Sequence, residues 1–324
     1  MIRQIAFTAA ALAAAVAGPA ARAQTPEVAI ATIVEVPALL EVKEGLLAGL
    51  AARGYVEGES LTIDYQNANG NMPVQQQIAA KFAGARPDVI VAITTPTAQS
   101  MVSQNSDVPI VFTAVTDPVK AKLIDSYEHA GETVTGVSDA APLPQQLELF
   151  REILPDLDQL GFVYNPGLDN SLAALQRIRE LAGPMGIEIV ESAAPTTNEV
   201  SLAARKLVGD VDAIYVPNDS TVVSVLETVI KVGQDTDTPV FLGETSGISR
   251  GALGSVGMNY RGLGEITGNM VADILDGTPV SEIRPVIGYE VLDDLIVVVN
   301  RKAAAEMGVE LPESVLARAD TIIE

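Results

Sequence analysis

A short segment of this 324-residue chain occurs twice, and the repeat limits the folds that the chain can adopt. Residues 78–90 read IAAKFAGARPDVI and residues 202–214 read LAARKLVGDVDAI, so that Asp88 aligns with Asp212 without a gap. In each copy, apolar residues at helical spacing lead into an apolar strand and then into a polar turn. Self-similarity of this kind indicates duplicated architecture, with two similar α/β lobes and a cleft between them that can hold a small molecule.

Strand and helix patterns alternate along the chain, which predicts a parallel doubly wound sheet in each half. The first series runs from a strand at 28–34 to a strand at 110–113, and the second runs from 161 to 242. A third part, which includes a strand predicted over 286–291, is too short to form a domain and must complete the two lobes.

The predicted fold class is therefore α/β, with two doubly wound Rossmann-like lobes joined by a three-strand hinge. Small changes of φ and ψ in the hinge would open and close the cleft. The chain is expected to cross between the lobes near Val137–Pro142, Asn259–Leu263 and Val291–Leu295. The predicted boundaries are 27–137 plus 262–291 for lobe 1 and 138–261 plus 292–324 for lobe 2.

Residues 1–23 have the features of a secretory signal peptide. Arg3 precedes an apolar run from Ile5 to Val16, and the small residues Ala21 and Ala23 flank Arg22 at a cleavage site. The apolar run is too short to span a bilayer, although an uncleaved membrane anchor is the alternative. The sequence therefore predicts a protein exported to the periplasm.

Composition argues against most catalytic and nucleic-acid functions. The chain has no Cys and one His, His129, which excludes thiol chemistry and leaves Ser-His-Asp triads and zinc sites with little support. Neither dinucleotide nor P-loop glycine motifs follow the first strand of either lobe. The net charge of −22 disfavours nucleic acid and anionic membranes. We expect no catalytic residue, cofactor or metal, and a monomer, while an acid–base pair among the 42 acidic residues stays open.

Polar turns follow the predicted strands at the sheet edge where open α/β sheets bind ligands. A helix that begins at such a turn offers free N–H groups to a carboxylate, although simple N-capping is the alternative for each turn. Asp219 and Glu244 would be anions at the rim of the cleft. A zwitterionic amino acid suits this arrangement, with its ammonium group on Asp219. The turns are 94–99, 113–117, 165–171, 217–221 and 243–246.

Several segments resemble those of bacterial ABC transporter substrate-binding proteins of the tryptophan/tyrosine-binding type. The similarity covers the mature chain, and TAVTDP (113–118) and YQNANG (65–70) are its more specific parts. Other matching segments are IVEVPAL (33–39), EGLLAGLAARGYVEG (44–58), TPTAQ (95–99), VTGVSD (134–139), QLELFREILP (146–155), YNPGLDNS (164–171), VDAIYVPNDSTVVS (211–224) and RGAL (250–253).

The resemblance implies a type I periplasmic-binding fold that closes on its ligand and docks on an ABC permease in the inner membrane. The expected function is uptake of a small zwitterionic ligand, an amino acid with an aromatic or branched side chain. A ligand-sensing receptor of the same fold and a secreted carboxylate-dependent hydrolase are the alternatives. Tyr65, Tyr164 and Tyr260 are candidates for an aromatic wall. The ligand contacts expected in total are Thr97, Ala98, Gln99, Thr116, Asp117, Asn170, Ser171, Asp219 and Glu244.

Overall fold

The structure is a computed structural model that describes residues 25–104, 107–129, 131–292 and 295–324. The predicted signal peptide at 1–23 lies outside the described residues. Within those ranges, no helix combines the length and the apolar composition needed to cross a membrane.

Strands and helices alternate through both halves of the chain. The strands are β1 (Glu27–Thr32), β2 (Thr62–Asn67), β3 (Val89–Ile93), β4 (Ile110–Val115), β5 (Val134–Ser138), β6 (Gln159–Tyr164), β7 (Glu188–Ala193), β8 (Ala213–Val216), β9 (Val240–Leu242), β10 (Gly254–Gly257), β11 (Val286–Ile287), β12 (Ile296–Asn300) and β13 (Thr321–Ile323). The helices are α1 (Pro37–Ala52), α2 (Met72–Ala85), α3 (Thr95–Gln104), α4 (Leu143–Ile153), α5 (Asp169–Ala182), α6 (Val200–Leu207), α7 (Ser220–Val223), α8 (Leu226–Asp235), α9 (Tyr260–Leu275), α10 (Gly288–Leu292), α11 (Arg301–Glu306) and α12 (Glu313–Arg318).

Six strands follow the same order in both sheets, which confirms the duplicated α/β fold predicted from the repeat. The first sheet is parallel, with six strands in the order β11-β5-β4-β3-β1-β2. The second sheet has seven strands in the order β13-β12-β10-β9-β8-β6-β7, and β12 runs antiparallel to β10. We call the first sheet with its helices lobe 1 and the second lobe 2. The order in which the chain adds strands changes direction between β1 and β3 in the first sheet and between β6 and β8 in the second.

The repeated aspartates have the same structural role in both lobes. The Asp88 carboxylate accepts a hydrogen bond of 2.8 Å from the N–H of Glu27 at the start of β1. The Asp212 carboxylate accepts bonds of 2.9 and 2.8 Å from the N–H groups of Asp158 and Gln159 at the start of β6. Each aspartate therefore satisfies backbone donors that would otherwise be left free at the entry to a central strand.

The chain passes between the lobes in short segments. Residues 139–142 lead from β5 in lobe 1 to α4, which packs into the lobe 2 core. Residues 258–259 lead back from β10 to α9 in the lobe 1 core. The third predicted crossing, near Val291–Leu295, includes residues 293–294, which lie outside the described residues. The exact lobe boundaries stay a prediction.

Helices α1 and α9 cross at unusually close range in lobe 1. Gly45 and Gly49 on α1 face α9, and Gly264 and Gly268 on α9 face α1. A Cβ atom at Gly264 would overlap the carbonyl oxygen of Val42, so backbone packs directly on backbone. The absence of a side chain at these positions is therefore what allows the crossing.

The strand predicted over 286–291 is wrong beyond Ile287. Strand β11 pairs only Val286 with Val137 and Ile287 with Ser138, because β5 ends at Ser138 and offers no further partner. The chain then turns into the short helix α10.

Candidate functional site

A cavity lies between the lobes at the carboxyl ends of the parallel strands. Lobe 1 contributes the turns after β1, β3, β4 and β5, and lobe 2 contributes the turns after β6, β8 and β9. These positions are the expected place for a ligand in doubly wound sheets. The cavity is lined by Val34, Val36, Ala38, Leu39, Thr94, Thr95, Pro96, Ala114, Thr116, Asp139, Asn170, Asn218, Asp219, Ser220, Val223, Glu244 and Tyr260.

The first turn of α3 provides donors for an anionic group. The backbone N–H groups of Thr95 and Thr97 make no hydrogen bond to any described residue, and the buried Thr95 hydroxyl has no partner either. Thr94, directly before the helix, has a φ of 86°, which is rare for a β-branched residue. Backbone strain of this kind is typical of functional sites. The positive end of the helix dipole adds to the attraction for an anion.

Asp139 is a buried carboxylate without a cationic partner among the described residues. Its side chain is held by Tyr260 Oη and Asn218 Nδ2, which donate to Oδ2 at 3.1 and 3.0 Å. Its other oxygen, Oδ1, receives a long bond of 3.3 Å from Thr116 Oγ1. Burial raises the pKa of Asp139, and these three hydrogen bonds, together with one from its own backbone N–H, act in the opposite direction. The Oδ1 atom therefore retains capacity to accept a hydrogen bond from a ligand.

Asp219 also lines the cavity, but protein donors occupy both of its oxygens. Oδ1 accepts from the N–H groups of Thr221 and Val222 at 2.9 and 3.1 Å, which caps α7. Oδ2 accepts from the N–H of Asn165 at 2.6 Å and from Ser171 Oγ at 2.7 Å. Burial raises the pKa of Asp219, and these four bonds oppose the shift. A carboxylate accommodates about four such bonds, so Asp219 has little capacity left for a ligand.

Glu244 has a similar internal arrangement after β9. Ser246 donates to Oε2 through both its N–H and its hydroxyl at 2.6 Å, and the N–H of Gly247 donates to Oε1 at 2.9 Å. Burial raises the pKa of Glu244. The half-buried Glu41 carboxyl also has a raised pKa, first because of burial and then because of the nearby Glu244 charge. Asp219 and Glu244 thus make the lobe 2 side of the cavity acidic.

The remaining walls are largely apolar. Val34, Val36 and Leu39 come from the segment after β1 and the start of α1, and Val223 faces them from lobe 2. Tyr260 supplies an aromatic ring, whereas Tyr65 and Tyr164 lie outside the lining and donate hydrogen bonds to glutamates. Such a wall suits the apolar side chain of a ligand.

Sequence reasoning found part of this lining. Thr116, Asn170, Asp219 and Glu244 of the predicted contacts line the cavity. Thr97, Ala98 and Ser171 are buried beside it, and Asp117 faces a separate crevice near the hinge. The contact prediction for these residues stays a prediction. Sequence reasoning missed Asp139 and Asn218, although each is a polar residue that closely follows an apolar strand, which is the signal used for the other turns.

Gln99 links the lobes at the rim of the cleft. Its Nε2 donates to Asp169 Oδ2 of lobe 2 at 2.7 Å. Nearby, Lys120 Nζ of lobe 1 donates to Gln176 Oε1 of lobe 2 at 3.1 Å. We call these two bonds the rim contacts. They hold the lobes together without touching the cavity.

We expect Gln99→Ala to weaken ligand binding by about threefold to tenfold, since one exposed hydrogen bond contributes roughly 0.5–1.5 kcal/mol to the closed form. The loss should be in faster dissociation and equal for all ligands, as measured by stopped-flow fluorescence. Lys81→Ala, which breaks the ion pair with Asp64 within lobe 1, is the control and should leave affinity unchanged. A loss confined to one ligand would instead indicate direct contact by Gln99.

The comparisons with known proteins agree with this architecture. The family model described as "ABC transporter substrate binding protein" matches residues 27–323. A tyrosine-binding protein of Clostridioides difficile (strain R20291) is 37% identical over 273 residues, which is 84% of this chain and 78% of that protein. The structure of an ABC domain in complex with L-Trp from Streptococcus pneumonia is 31% identical, with a TM-score of 0.87 over 93% of this chain and 100% of that one.

A third relative indicates which conformation the present structure has. The ligand-free, open structure of a substrate-binding protein with adhesive properties from Clostridium difficile is 35% identical and covers 92% of this chain and 99% of that one. Its TM-score is only 0.69, against 0.87 for the less similar sequence bound to L-Trp. The lobes described here are therefore arranged as in the ligand-bound relative, in keeping with the rim contacts. By sequence and by its type I periplasmic-binding fold, the chain belongs to the family of ABC transporter substrate-binding proteins, whose members bind small molecules.

Proposed function

We propose that this protein is the solute-binding component of an ABC uptake transporter and that it binds an amino acid with an aromatic or branched side chain. The observation that carries the proposal is the polarity of the cavity. It presents a buried carboxylate, Asp139, which has no cationic partner among the described residues, and the backbone N–H of Thr95, which donates to no described residue. The N–H of Thr97 lies in the same helical turn, beside the cavity. These two features match the ammonium and carboxylate groups of a zwitterion.

In the proposed complex, the ligand ammonium donates to Asp139 Oδ1 and the ligand carboxylate accepts from the first turn of α3. We thus move the ammonium contact from Asp219 to Asp139, because the oxygens of Asp219 are already occupied. Asn170 Oδ1, which is buried and has no hydrogen-bond partner among the described residues, is a further acceptor for the ammonium. Charge-assisted bonds of about 1.5–3 kcal/mol each are sufficient for micromolar affinity, ~8 kcal/mol, after the costs of closure.

The names of two relatives support an aromatic ligand. One is a tyrosine-binding protein and another was solved with L-Trp, at 37% and 31% identity to this chain. The apolar wall around Val36, Leu39 and Val223 suits such a side chain.

We further propose that the protein works in the periplasm, without catalysis, and passes its ligand to a permease in the inner membrane. The signal-peptide pattern at 1–23 supports export, and the family supports the transporter partner. A binder returns its ligand unchanged. Chromatography of the ligand after prolonged incubation therefore separates this proposal from a hydrolase.

The proposal is tested by a thermal-shift screen of the purified protein against the twenty amino acids, several sugars and several organic acids. We expect L-Trp or L-Tyr to raise the melting temperature by ~5 °C at a concentration 100-fold above Kd, since such binding contributes about 2.7 kcal/mol. D-Trp and D-Tyr are the matched controls and should give a smaller shift, because they exchange the positions of two groups around Cα. A shift with a sugar and with no amino acid would refute the proposal.

A further inference from the structure

The charged side chains that line the cavity among the described residues are all carboxylates. Asp139, Asp219 and Glu244 line it with exposed fractions of 4%, 0% and 5%. No lysine, arginine or histidine is among the described residues that line it. The site therefore holds carboxylates on its wall and offers only neutral donors to an anion.

The two arginines whose charges act on Glu244 and Glu41 are bound to other partners. Arg250 lies near Glu244, but its guanidinium donates to both oxygens of Glu227 at 2.8 Å. Arg261 lies near Glu41 and forms an ion pair with Glu44 at 3.2 Å. Neither arginine lines the cavity, so neither can neutralise a ligand carboxylate by direct contact.

Because of this asymmetry, the ammonium and the carboxylate of a zwitterion contribute unequally to the binding free energy. The ammonium gains a full opposite charge in a buried setting, where such a pair is weakly screened. The ligand carboxylate gains hydrogen bonds from the first turn of α3 but is repelled by three carboxylates. Removing the carboxylate from a ligand therefore loses donors and relieves repulsion, whereas removing the ammonium leaves a buried anion among anions.

We propose that the cavity also binds primary amines that lack the carboxylate, as a second class of ligand, and rejects carboxylic acids that lack the ammonium. This inference rests on the proposed function, because it places the amine at the amino-acid site. It adds that aromatic monoamines compete with the amino acid for the closed cleft.

Isothermal titration calorimetry with two matched series tests the proposal. The series are L-tyrosine, tyramine and 3-(4-hydroxyphenyl)propionate, and L-tryptophan, tryptamine and 3-indolepropionate. For the series that binds, we expect the amine to bind within about 100-fold of the amino acid and to be displaced by it. The acid should give no binding heat at a concentration 1,000-fold above the Kd of the amino acid, which is roughly the difference expected when like charges are buried together.

The outcomes separate this inference from the proposed function. Binding of an amino acid with no binding of its amine overturns the inference and leaves the proposed function standing. Binding of an amine without binding of any amino acid refutes the proposed function and, with it, the claim that amines are a second class of ligand at an amino-acid site. An acid that binds as tightly as the amine also overturns the inference. In Asp139→Asn the preference for the amine over the acid should fall at least tenfold, while circular dichroism confirms an unchanged fold.

Discussion

Asp139→Asn is expected to lower the affinity for the amino-acid ligand by roughly 30-fold to several thousand-fold. The substitution keeps the shape of the side chain but removes the charge that pairs with the ammonium, and loss of a buried partner of this kind typically costs about 2–5 kcal/mol. The melting temperature of the unliganded protein should stay the same or rise, because a carboxylate buried without a cation is costly to fold around. Calorimetry and thermal melts check both parts.

Asp219→Asn is the matched control. Here we expect lower stability, since the new amide group cannot accept the bonds from Asn165 and Ser171 in addition to those that cap α7. If Asp219→Asn lost binding at full stability while Asp139→Asn bound normally, the ammonium contact would belong to Asp219.

The pH dependence provides a second control for Asp139. Burial raises the pKa of its carboxyl in the free protein. A protonated carboxyl cannot pair with an ammonium, so affinity should fall as the pH drops toward and below that raised pKa, with a proton released on binding. Calorimetry in buffers of different ionisation enthalpy measures that proton, and Asp139→Asn should release fewer.

Gly264→Ala is expected to destabilise the protein by about 3 kcal/mol, the upper end of the usual cost of overpacking. The new Cβ would overlap the carbonyl oxygen of Val42 and lie 2.7 Å from the backbone nitrogen of Leu46, and backbone atoms cannot rotate away as a side chain can. Because the first turns of α1 and α9 line the cavity through Ala38 and Tyr260, ligand affinity should fall as well. Urea denaturation and calorimetry measure the two losses.

Gly84→Ala is the control for Gly264→Ala. Gly84 lies in helix α2, where an added Cβ would meet no atom within 4 Å. Alanine is the better helix former there, by up to about 1 kcal/mol. We therefore expect unchanged or higher stability. Equal losses in both variants would show that the α1–α9 crossing is more adaptable than its geometry indicates.

The fold was largely predictable because the repeat and the buried strands are local patterns. Strands β3, β8 and β9 begin and end where their apolar runs do. Strand β11 was misjudged because its length depends on its partner β5 and not on its own residues. Helix α4 begins beside Pro142 and Pro144, residues that count against a helix in a local reading, although proline is well tolerated in a first turn.

The candidate site was harder to predict than the fold. The turns at the strand ends were identified, but α3 begins at Thr95, inside the turn predicted over 94–99, and this start determines which backbone donors are free. The different roles of Asp139 and Asp219 depend on how many donors surround each carboxylate. Those donors come from Asn165, Ser171 and Tyr260, which lie far away in sequence, so neither count follows from the local pattern.

The Asp139 carboxylate, which has no cationic partner among the described residues, also affects the protein when no ligand is bound. When the lobes close without a ligand, this carboxylate loses its hydrating water and gains no positive charge in its place. The ligand-free protein should therefore favour an open conformation, so that the closed conformation indicates a bound ligand. If the proposed permease binds only the closed conformation, it would not start a transport cycle without ligand.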